Sequence, residues 1–424
     1  VVAVRLRQPA RRWRPRLPMD LRESPADAAF RQEVRDWLEA NLVGEFAEAR
    51  GIGGPGSEHE GYDVRRAWER KLGEAGWTCI GWPTRYGGRG ATIMQQVIWH
   101  EEYARAGAPA RIGIFGEGLL GPTLMAYGTE AQRQRFLEPI RLGTELWCQG
   151  YSEPNAGSDL ANVQTKAVLE GDEWVVTGQK VWTSLAHWAD WCFAVCRTDP
   201  AAPRHRGLSY LLIPMDQPGV EVRPITQLTG TSEFNEVFFD GARTPADMVV
   251  GAVNDGWRVA LATLGFERGV GLLGHLVHFR RELDAVLELA RAGGCSTDPV
   301  LRQRLADAWI RLAVFRLNTL RSLAGVDGPV APPEASISKL FWSRWHRDLG
   351  ELAMDVLGAR ATVAGGPPCR LGELQRSFLF SRADTIYGGS DEIQRTIIGE
   401  RVLGLPPEPR ASDPNAPEPK GGSR

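Results

Sequence analysis

The sequence predicts a mainly α protein with a central β domain, and three observations carry that reading. Apolar residues recur at helical spacing through the first third and again after Gly256. Between them, residues 146–250 break into short β-rich runs separated by Gly-Asp, Pro-Gly and Asp-Gly turns. At 424 residues the chain also exceeds the size at which one hydrophobic core stops growing, so several packed units are expected.

The first helix is announced by Ser24-Pro25-Ala26-Asp27, with Ser24 as cap, Pro25 in the first turn and Asp27 placed for the helix dipole. Phe30, Val34, Trp37, Leu38 and Leu42 follow at helical spacing. Gly- and Pro-rich residues 51–57 interrupt, and helical patterns resume near 62–75, 92–106 and 129–141, the last capped by Thr129. The runs L-W-C-Q-G-Y, W-V-V-T-G, W-C-F-A-V-C, L-S-Y-L-L-I-P, V-E-V-R-P-I and E-V-F-F read as strands of an antiparallel sheet or barrel. Long amphipathic helices are expected at roughly 256–292, 298–324, 333–357 and 371–403, the last broken at Gly388-Gly389, and four such elements predict a four-helix bundle. The predicted units are a disordered basic extension (1–19), an N-terminal α-helical domain (20–145), a middle antiparallel β-barrel or sheet domain (146–252), a C-terminal four-helix bundle (253–406) and a disordered tail (407–424). Arg5, Arg7, Arg11, Arg12, Arg14 and Arg16 make the extension basic, and it reads as a stretch foreign to the fold, with Met19 beginning the domain.

Net charge is −2, which gives no general reason to expect nucleic acid or an anionic membrane as partner. No apolar run approaches the roughly 20 residues needed to cross a bilayer. Six cysteines without a C-x-x-C pair fit a reducing cytoplasm and small buried side chains. Two G-x-G-x-x-G strings, Gly51-Gly53-Gly56 and Gly116-Gly118-Gly121, lack the strand-turn-helix context of a dinucleotide fingerprint. No metal site is expected: His275 and His278 share a helical face without an E-x-x-H pair, and His100-Glu101 has Ala104 where a zincin carries its second histidine.

Residues 148–160, C-Q-G-Y-S-E-P-N-A-G-S-D-L, stand out. Pro154, Asn155, Gly157 and Ser158 favour a tight loop that can aim backbone N–H groups and a hydroxyl at one anion, for which a cofactor phosphate is the natural candidate. Farther on, Ala260, Leu264, Glu267, Gly271 and Gly274 recur at three- and four-residue spacing, which puts Glu267 on a stripe of small and apolar residues where a carboxylate is desolvated.

The loop at 148–160 resembles the flavin-binding loop of the acyl-CoA dehydrogenase family. It is joined by G-Q-K-V-W-T-S (178–184), A-D-W (189–191), E-F-N-E-V-F-F-D (233–240), G-W (256–257), G-F-E-R (265–268) and I-Y-G-G-S-D-E-I-Q-R (386–395). These blocks are in the family's order and spacing over roughly residues 20–406. The resemblance implies FAD held by loops of the β domain and by the bundle, with Gln149, Tyr151, Ser152, Gly157, Ser158, Trp182, Ser184, Ser390 and Glu392 as cofactor-binding positions. It sets Ser152 by the pyrimidine side of the ring system, Ser158 at the pyrophosphate, Trp182 against the ring and Ser184 near N5. Arg268 and Tyr387 are the implied substrate-binding positions, and the Gly388 N–H the implied oxyanion donor.

Removing an α-proton from a thioester demands a carboxylate whose pKa is lifted by a dry site. Many family members carry it directly after the tyrosine of a Y-E-G-T motif, where this chain has Gly388. A minority class, including the isovaleryl and long-chain enzymes, carries the base on the bundle helix in an E-R pair, which Glu267-Arg268 matches; the long-chain class also has a Y-G-G-T loop, close to Tyr387-Gly388-Gly389-Ser390. Glu267 is therefore the expected base.

The implied reaction is oxidation of an acyl-CoA or acyl-carrier-protein thioester to the trans-2-enoyl product, with an electron-transfer flavoprotein as acceptor and a homo-dimer, tetramer or heteromer as assembly. The rivals are a flavin monooxygenase or oxidase on the same fold and a non-catalytic subunit. Two departures put the family's adenine and pyrophosphate contacts across the subunit interface in doubt and favour the last rival, with an asymmetric site as in heteromeric relatives: the R-x-x-F-G element is replaced by A-R-A-G-G-C-S-T-D-P (290–299), and the Q-x-x-G-G element by D-V-L-G-A (355–359).

Overall fold

The computed structural model describes residues 23–54, 56–266, 271–323, 336–365 and 370–407. The basic extension up to residue 22, the tail from 408, Cys369, and Glu267 with Arg268 all lie outside the described residues, as does the His275 side chain.

The N-terminal helices are α1 (Pro25–Asn41), α2 (Glu45–Glu48), α3 (Tyr62–Glu74), α4 (Ile93–Arg105), α5 (Gly121–Tyr127) and α6 (Glu130–Leu142). Local chemistry sets their starts. The Ser24 hydroxyl accepts from the Asp27 N–H while the Asp27 carboxylate accepts from the Ser24 N–H, and Thr92 with Gln95 and Thr129 with Gln132 repeat the arrangement on α4 and α6. Phe30, Val34 and Leu38 of α1 then pack with Trp68, Leu72 and Trp99, and Trp77 stacks on Trp99 with ring centroids 5.0 Å apart. Of the two glycine strings, the first lies in the α2–α3 loop with Gly51, Gly53 and Gly56 at φ 75°, 82° and 78°. The second leads into α5, where Gly121 sits against Trp82.

The strands are β1 (Trp147–Gly150), β2 (Lys166–Glu170), β3 (Glu173–Ser184), β4 (Trp191–Arg197), β5 (Leu208–Pro214), β6 (Val220–Ile225) and β7 (Phe234–Pro245). They form one sheet in the order β1-β4-β2-β3-β7-β6, with β5 on β4. Pairing is antiparallel except that β4 runs parallel to β1 and meets β2 in parallel at Arg197↔Lys166. One face holds Cys148, Val176, Cys192, Cys196, Leu211 and Ile213. The other packs Trp147, Tyr151, Phe193 and Tyr210 against Leu120, Leu124 and Phe136 of the N-terminal helices. Cover on both faces explains the unbroken apolar run W-C-F-A-V-C in β4. Strand β2 was not legible in the sequence, because only Ala167 of K-A-V-L-E is buried while Val168 and Leu169 are exposed.

After β7 come α7 (Gly256–Phe266), α8 (Gly271–Ala292), α9 (Pro299–Leu323), α10 (Ser336–Leu357), α11 (Glu373–Asp384) and α12 (Asp391–Ile397). Phe279, Leu283 and Val286 of α8, Leu312 and Phe315 of α9, and Trp342, Trp345 and Leu349 of α10 form the bundle core, which Val97 of α4 joins to the N-terminal helices. The fold is thus mainly α around a curled β layer. Cys79, Cys148, Cys192 and Cys196 are buried free thiols, and Cys295 is half-buried. No described helix is long and apolar enough to cross a membrane.

Gly256 of the G-W block shows how the bundle is seated on the sheet. A Cβ there would lie 2.3 Å from the Ser209 carbonyl carbon, so α7 begins in backbone contact with β5. Gly256→Ala is expected to force the two apart and cost about 1–3 kcal/mol; an unchanged urea midpoint would show that α7 shifts without penalty.

Candidate functional site

The loop after β1 is closed by a buried ion pair. Lys180 of β3 lies on the inward register shared by Trp174 and Val176, with none of its side chain exposed. Its Nζ donates to Glu153 Oε1 at 2.8 Å, to the Val195 carbonyl at 2.7 Å and to the Tyr151 carbonyl at 3.3 Å. Glu153 in turn accepts from the backbone N–H groups of Gln164 at 2.6 Å and Thr165 at 2.9 Å. Burial pushes the Glu153 carboxyl up, but the Lys180 charge and these donors outweigh it and hold the pKa below the usual carboxylate range. Both ends of the 151–165 segment are therefore drawn onto β3. Within it, the Glu153 N–H donates to the Ala156 carbonyl at 3.1 Å and the Ala156 N–H to the Glu153 carbonyl at 3.0 Å. Gly157 and Ser158 are left exposed beyond this turn, and among the described residues neither N–H has an acceptor.

The Val181 N–H donates to the Ser152 carbonyl at 2.9 Å, so the loop runs alongside the end of β3. There the β3–β7 register slips between Lys180 and Thr183. Trp182, at the slip, has φ 59° and is 58% exposed, with an edge contact to the Phe234 ring at 6.2 Å. A large aromatic in left-handed backbone and in solvent is costly and is not a strand-core residue; such outliers cluster at binding sites. In the same sheet, Thr183 Oγ1 next to the bulge and Gln149 Nε2 on β1 are buried without a hydrogen-bond partner among the described residues. Ser184 pairs with Phe234 in the β3–β7 register, and its side chain is half-buried. Tyr151 is buried in the core and does not border solvent.

A series of contacts leads from this bulge to the turn between α11 and α12. The Leu185 N–H donates to the Glu233 carbonyl at 3.0 Å, Thr231 Oγ1 donates to Glu233 Oε2 at 2.8 Å, and the Thr229 and Thr231 hydroxyls lie 2.6 Å apart. A Cβ on Gly56 would be 3.8 Å from both Thr229 and Phe380, and the Phe380 and Tyr387 rings are 6.4 Å apart. The α2–α3 loop, the segment leading into β7 and α11 thus meet in one region.

In the turn itself Gly388 and Gly389 have φ 62° and 87°. Gln394 Nε2 donates to the Gly388 carbonyl at 3.1 Å, and among the described residues the exposed Gly388 N–H has no acceptor. Ser390 caps α12, its hydroxyl accepting from the Ile393 N–H at 3.4 Å. Glu392 points outward beside Arg395. Tyr387 donates to Asp384 Oδ1 at 2.7 Å.

Asp384 belongs to a buried charged network that the sequence reading missed. His346 of α10 meets Asp384 Oδ2 through Nδ1. Its Nε2 is 3.2 Å from Ser377 Oγ and 2.8 Å from Glu282 Oε2, and Ser377 Oγ donates to Glu282 Oε1 at 2.7 Å. Burial by itself lowers the His346 pKa; Glu282 and Asp384 reverse this and raise it to about 10. Burial likewise pushes Glu282 up, and the His346 and His278 partners bring it well below its usual range. The signal was available: His346 shares the inward stripe of α10 with Trp342, Trp345 and Leu349, where a polar ring needs partners. Lys180 on the inward face of β3 was a signal of the same kind. Sequence spacing pointed to Glu267 and the family resemblance to Arg268; both follow α7 directly and lie outside the described residues.

Three family descriptions match the chain: "Acyl-CoA dehydrogenase, N-terminal domain" over residues 24–144, the middle domain over 148–242 and the C-terminal domain over 254–403. Acyl-CoA dehydrogenase IpdE1 of Mycobacterium tuberculosis is 58% identical over 381 residues, covering 89% of this chain and 98% of its own length. Its namesake in Mycolicibacterium smegmatis is 57% identical over 390 residues, with the same coverage of both chains. Among solved structures, the Tcur3481-Tcur3483 steroid ACAD superposes with a TM-score of 0.80 at 33% identity, covering 92% of this chain and 100% of its own. The ChsE4-ChsE5 complex from Mycobacterium tuberculosis gives 0.78 at 33% identity with the same coverage. The chain belongs to the acyl-CoA dehydrogenase family, a class of flavoprotein oxidoreductases of lipid metabolism.

Lys180→Met is expected to leave Glu153 charged and unpaired and to destabilise the fold by about 3–5 kcal/mol; a denaturation midpoint within error of the parent would show that the loop is held by other contacts. A second expectation concerns pH. His346 has a folded pKa of about 10 against an ordinary 6.5, so its stabilising contribution is complete below about 6.5 and is lost as pH rises through about 10. The thermal midpoints of the parent and of His346→Gln, followed over that range, should converge as pH rises; a constant gap would count against a charged His346.

Proposed function

We propose that this protein is an FAD-dependent dehydrogenase that oxidises the Cα–Cβ bond of a bulky acyl thioester, with Glu267 as the base. The observation that carries the cofactor assignment is the Trp182 bulge: an exposed ring held at φ 59°, with the adjoining Thr183 hydroxyl and, on β1, the Gln149 amide nitrogen buried and without a partner among the described residues. Such donors in a native fold call for an explanation, and a ligand provides one. When bound, FAD supplies the acceptor for the β-hydride.

The remaining work falls to the chain. Gln149, Ser152, Trp182 and Ser184 flank the ring system in this reading, with Tyr151 supporting them from the core. The open N–H groups of Gly157 and Ser158 take the pyrophosphate. Ser390 and Glu392 are assigned to the cofactor through their backbone, since the Ser390 hydroxyl is engaged as a cap and the Glu392 side chain faces outward. Glu267 takes the α-proton, Arg268 orients the site, Tyr387 borders the thioester, and the Gly388 N–H donates to the thioester oxygen as enolate charge develops.

Gly388 contributes no side chain to the turn, which supports a bulky acyl group, and so does the similarity to a complex named a steroid ACAD. We assign a CoA thioester over an acyl-carrier-protein thioester from the family name, and an electron-transfer flavoprotein as acceptor. The altered segments 290–299 and 355–359, together with similarity to two-component complexes, support a heteromer. We take the domain limits as 20–145, 146–252 and 253–406, and assign the protein to the cytoplasm from its free cysteines.

Glu267→Gln is expected to retain bound flavin and to slow its anaerobic bleaching by about 10²–10⁴-fold. The panel should hold octanoyl-CoA, isovaleryl-CoA and the CoA thioester of a steroid side-chain acid. Bleaching at the parent rate would remove Glu267 from the mechanism. A parent protein that purifies without flavin would favour the non-catalytic subunit instead.

A further inference from the structure

The Tyr387–Gly389 turn has two consecutive glycines and so little stiffness of its own, yet four elements converge on it. Asp384, the last residue of α11, is 1% exposed. Its Oδ1 accepts from the Tyr387 hydroxyl at 2.7 Å, its Oδ2 meets His346 Nδ1, and its carbonyl accepts from Lys339 Nζ of α10. On the far side of the imidazole, Nε2 faces Ser377 Oγ at 3.2 Å, and the Ser377 hydroxyl is already committed as donor to Glu282 of α8. With an acceptor before each ring nitrogen, both must donate, which is the imidazolium form.

We infer that His346 is a positioning residue which, through Asp384 and Tyr387, fixes the direction of the Gly388 N–H; the inference rests on the acyl-CoA dehydrogenase reading, in which that N–H meets the thioester oxygen. The argument is steric and electrostatic. Asp384 cannot turn away without leaving a buried cation half-paired, which is expensive in a dry interior. While Asp384 is fixed, the Tyr387 hydroxyl has a fixed acceptor, and the Tyr387 carbonyl shares a peptide plane with the Gly388 N–H. From the other side Gln394 donates to the Gly388 carbonyl at 3.1 Å. Gly388 is thus flanked by two anchored groups, the Tyr387 side chain on its N–H side and the Gln394 amide at its carbonyl, and a displacement of about 1 Å at such a donor can cost about 10²-fold in rate. The charged and titratable groups facing His346 are Glu282 and, through it, His278 of α8, and Asp384 of α11; Lys339 and Tyr387 meet Asp384.

The test uses the flavin-loaded full chain, with His346→Gln, Tyr387→Phe and the double variant. Hydrogen exchange of the peptide covering 384–394 should speed up at least tenfold in His346→Gln, with peptides from β3 and β7 unchanged. An unchanged 384–394 peptide overturns the proposal. With whichever acyl-CoA of the panel bleaches the parent flavin, each single variant should lower the limiting reduction rate about tenfold, and His346→Gln should leave the acyl-CoA dissociation constant within threefold. The double variant should lose about tenfold again in total and not a hundredfold, because both act through one path. Additive losses, or a loss confined to the dissociation constant, overturn it. If no acyl-CoA bleaches the parent, the functional reading fails while the exchange result still decides the network. Should His346→Gln not fold, Asp384→Asn, which keeps an acceptor for Tyr387, takes its place with the same expected outcomes.

Discussion

A charge taken out of water must find its partner, and Lys180 is the charge on which the candidate site depends. Desolvating an ammonium costs several kcal/mol even after relaxation, so its place on the inward face of β3 is tolerable only with Glu153 and two carbonyls around it. Glu153 in turn carries the N–H groups of Gln164 and Thr165, and this pulls the long connection between β1 and β2 back onto the sheet. With the loop drawn in, Ser152 lies beside Val181, and the next residue is the bulged Trp182. One electrostatic requirement therefore orders a segment that has almost no regular structure of its own.

The bundle repeats the device with different chemistry. There the buried cation is an imidazolium between Glu282 and Asp384, and the segment it orders is the glycine turn after α11. The two halves meet through uncharged contacts, with Thr229, Gly56 and Phe380 between them. Each half therefore has its own buried charged pair, and the contacts between the halves are made by uncharged groups.

Much of this fold was legible in the sequence because it rests on short-range rules. Ser24 and Thr129 cap helices for the reasons their neighbours suggest, and the β-rich runs between turn residues became strands. Strand β2 escaped because one inward alanine makes no pattern. In the site, the loop glycine and serines and the exposed Trp182 were singled out by motif. The partners Glu153 with Lys180 and His346 with Asp384 were not, since periodicity says which face a residue takes and nothing about which distant charge it meets. Lys180 and Glu153 are 27 residues apart and His346 and Asp384 are 38 apart, separations that only the tertiary fold brings together.

The left-handed backbone at Gly388 bears on how catalytic carboxylates are distributed in proteins of this build. At φ 62° an L-residue begins with a conformational penalty of about 1–2 kcal/mol. A glutamate grafted at this position would carry that penalty in a turn already anchored by Tyr387 on one side and Gln394 on the other. The backbone that suits a glycine at this turn is therefore one in which a side chain would begin at a disadvantage.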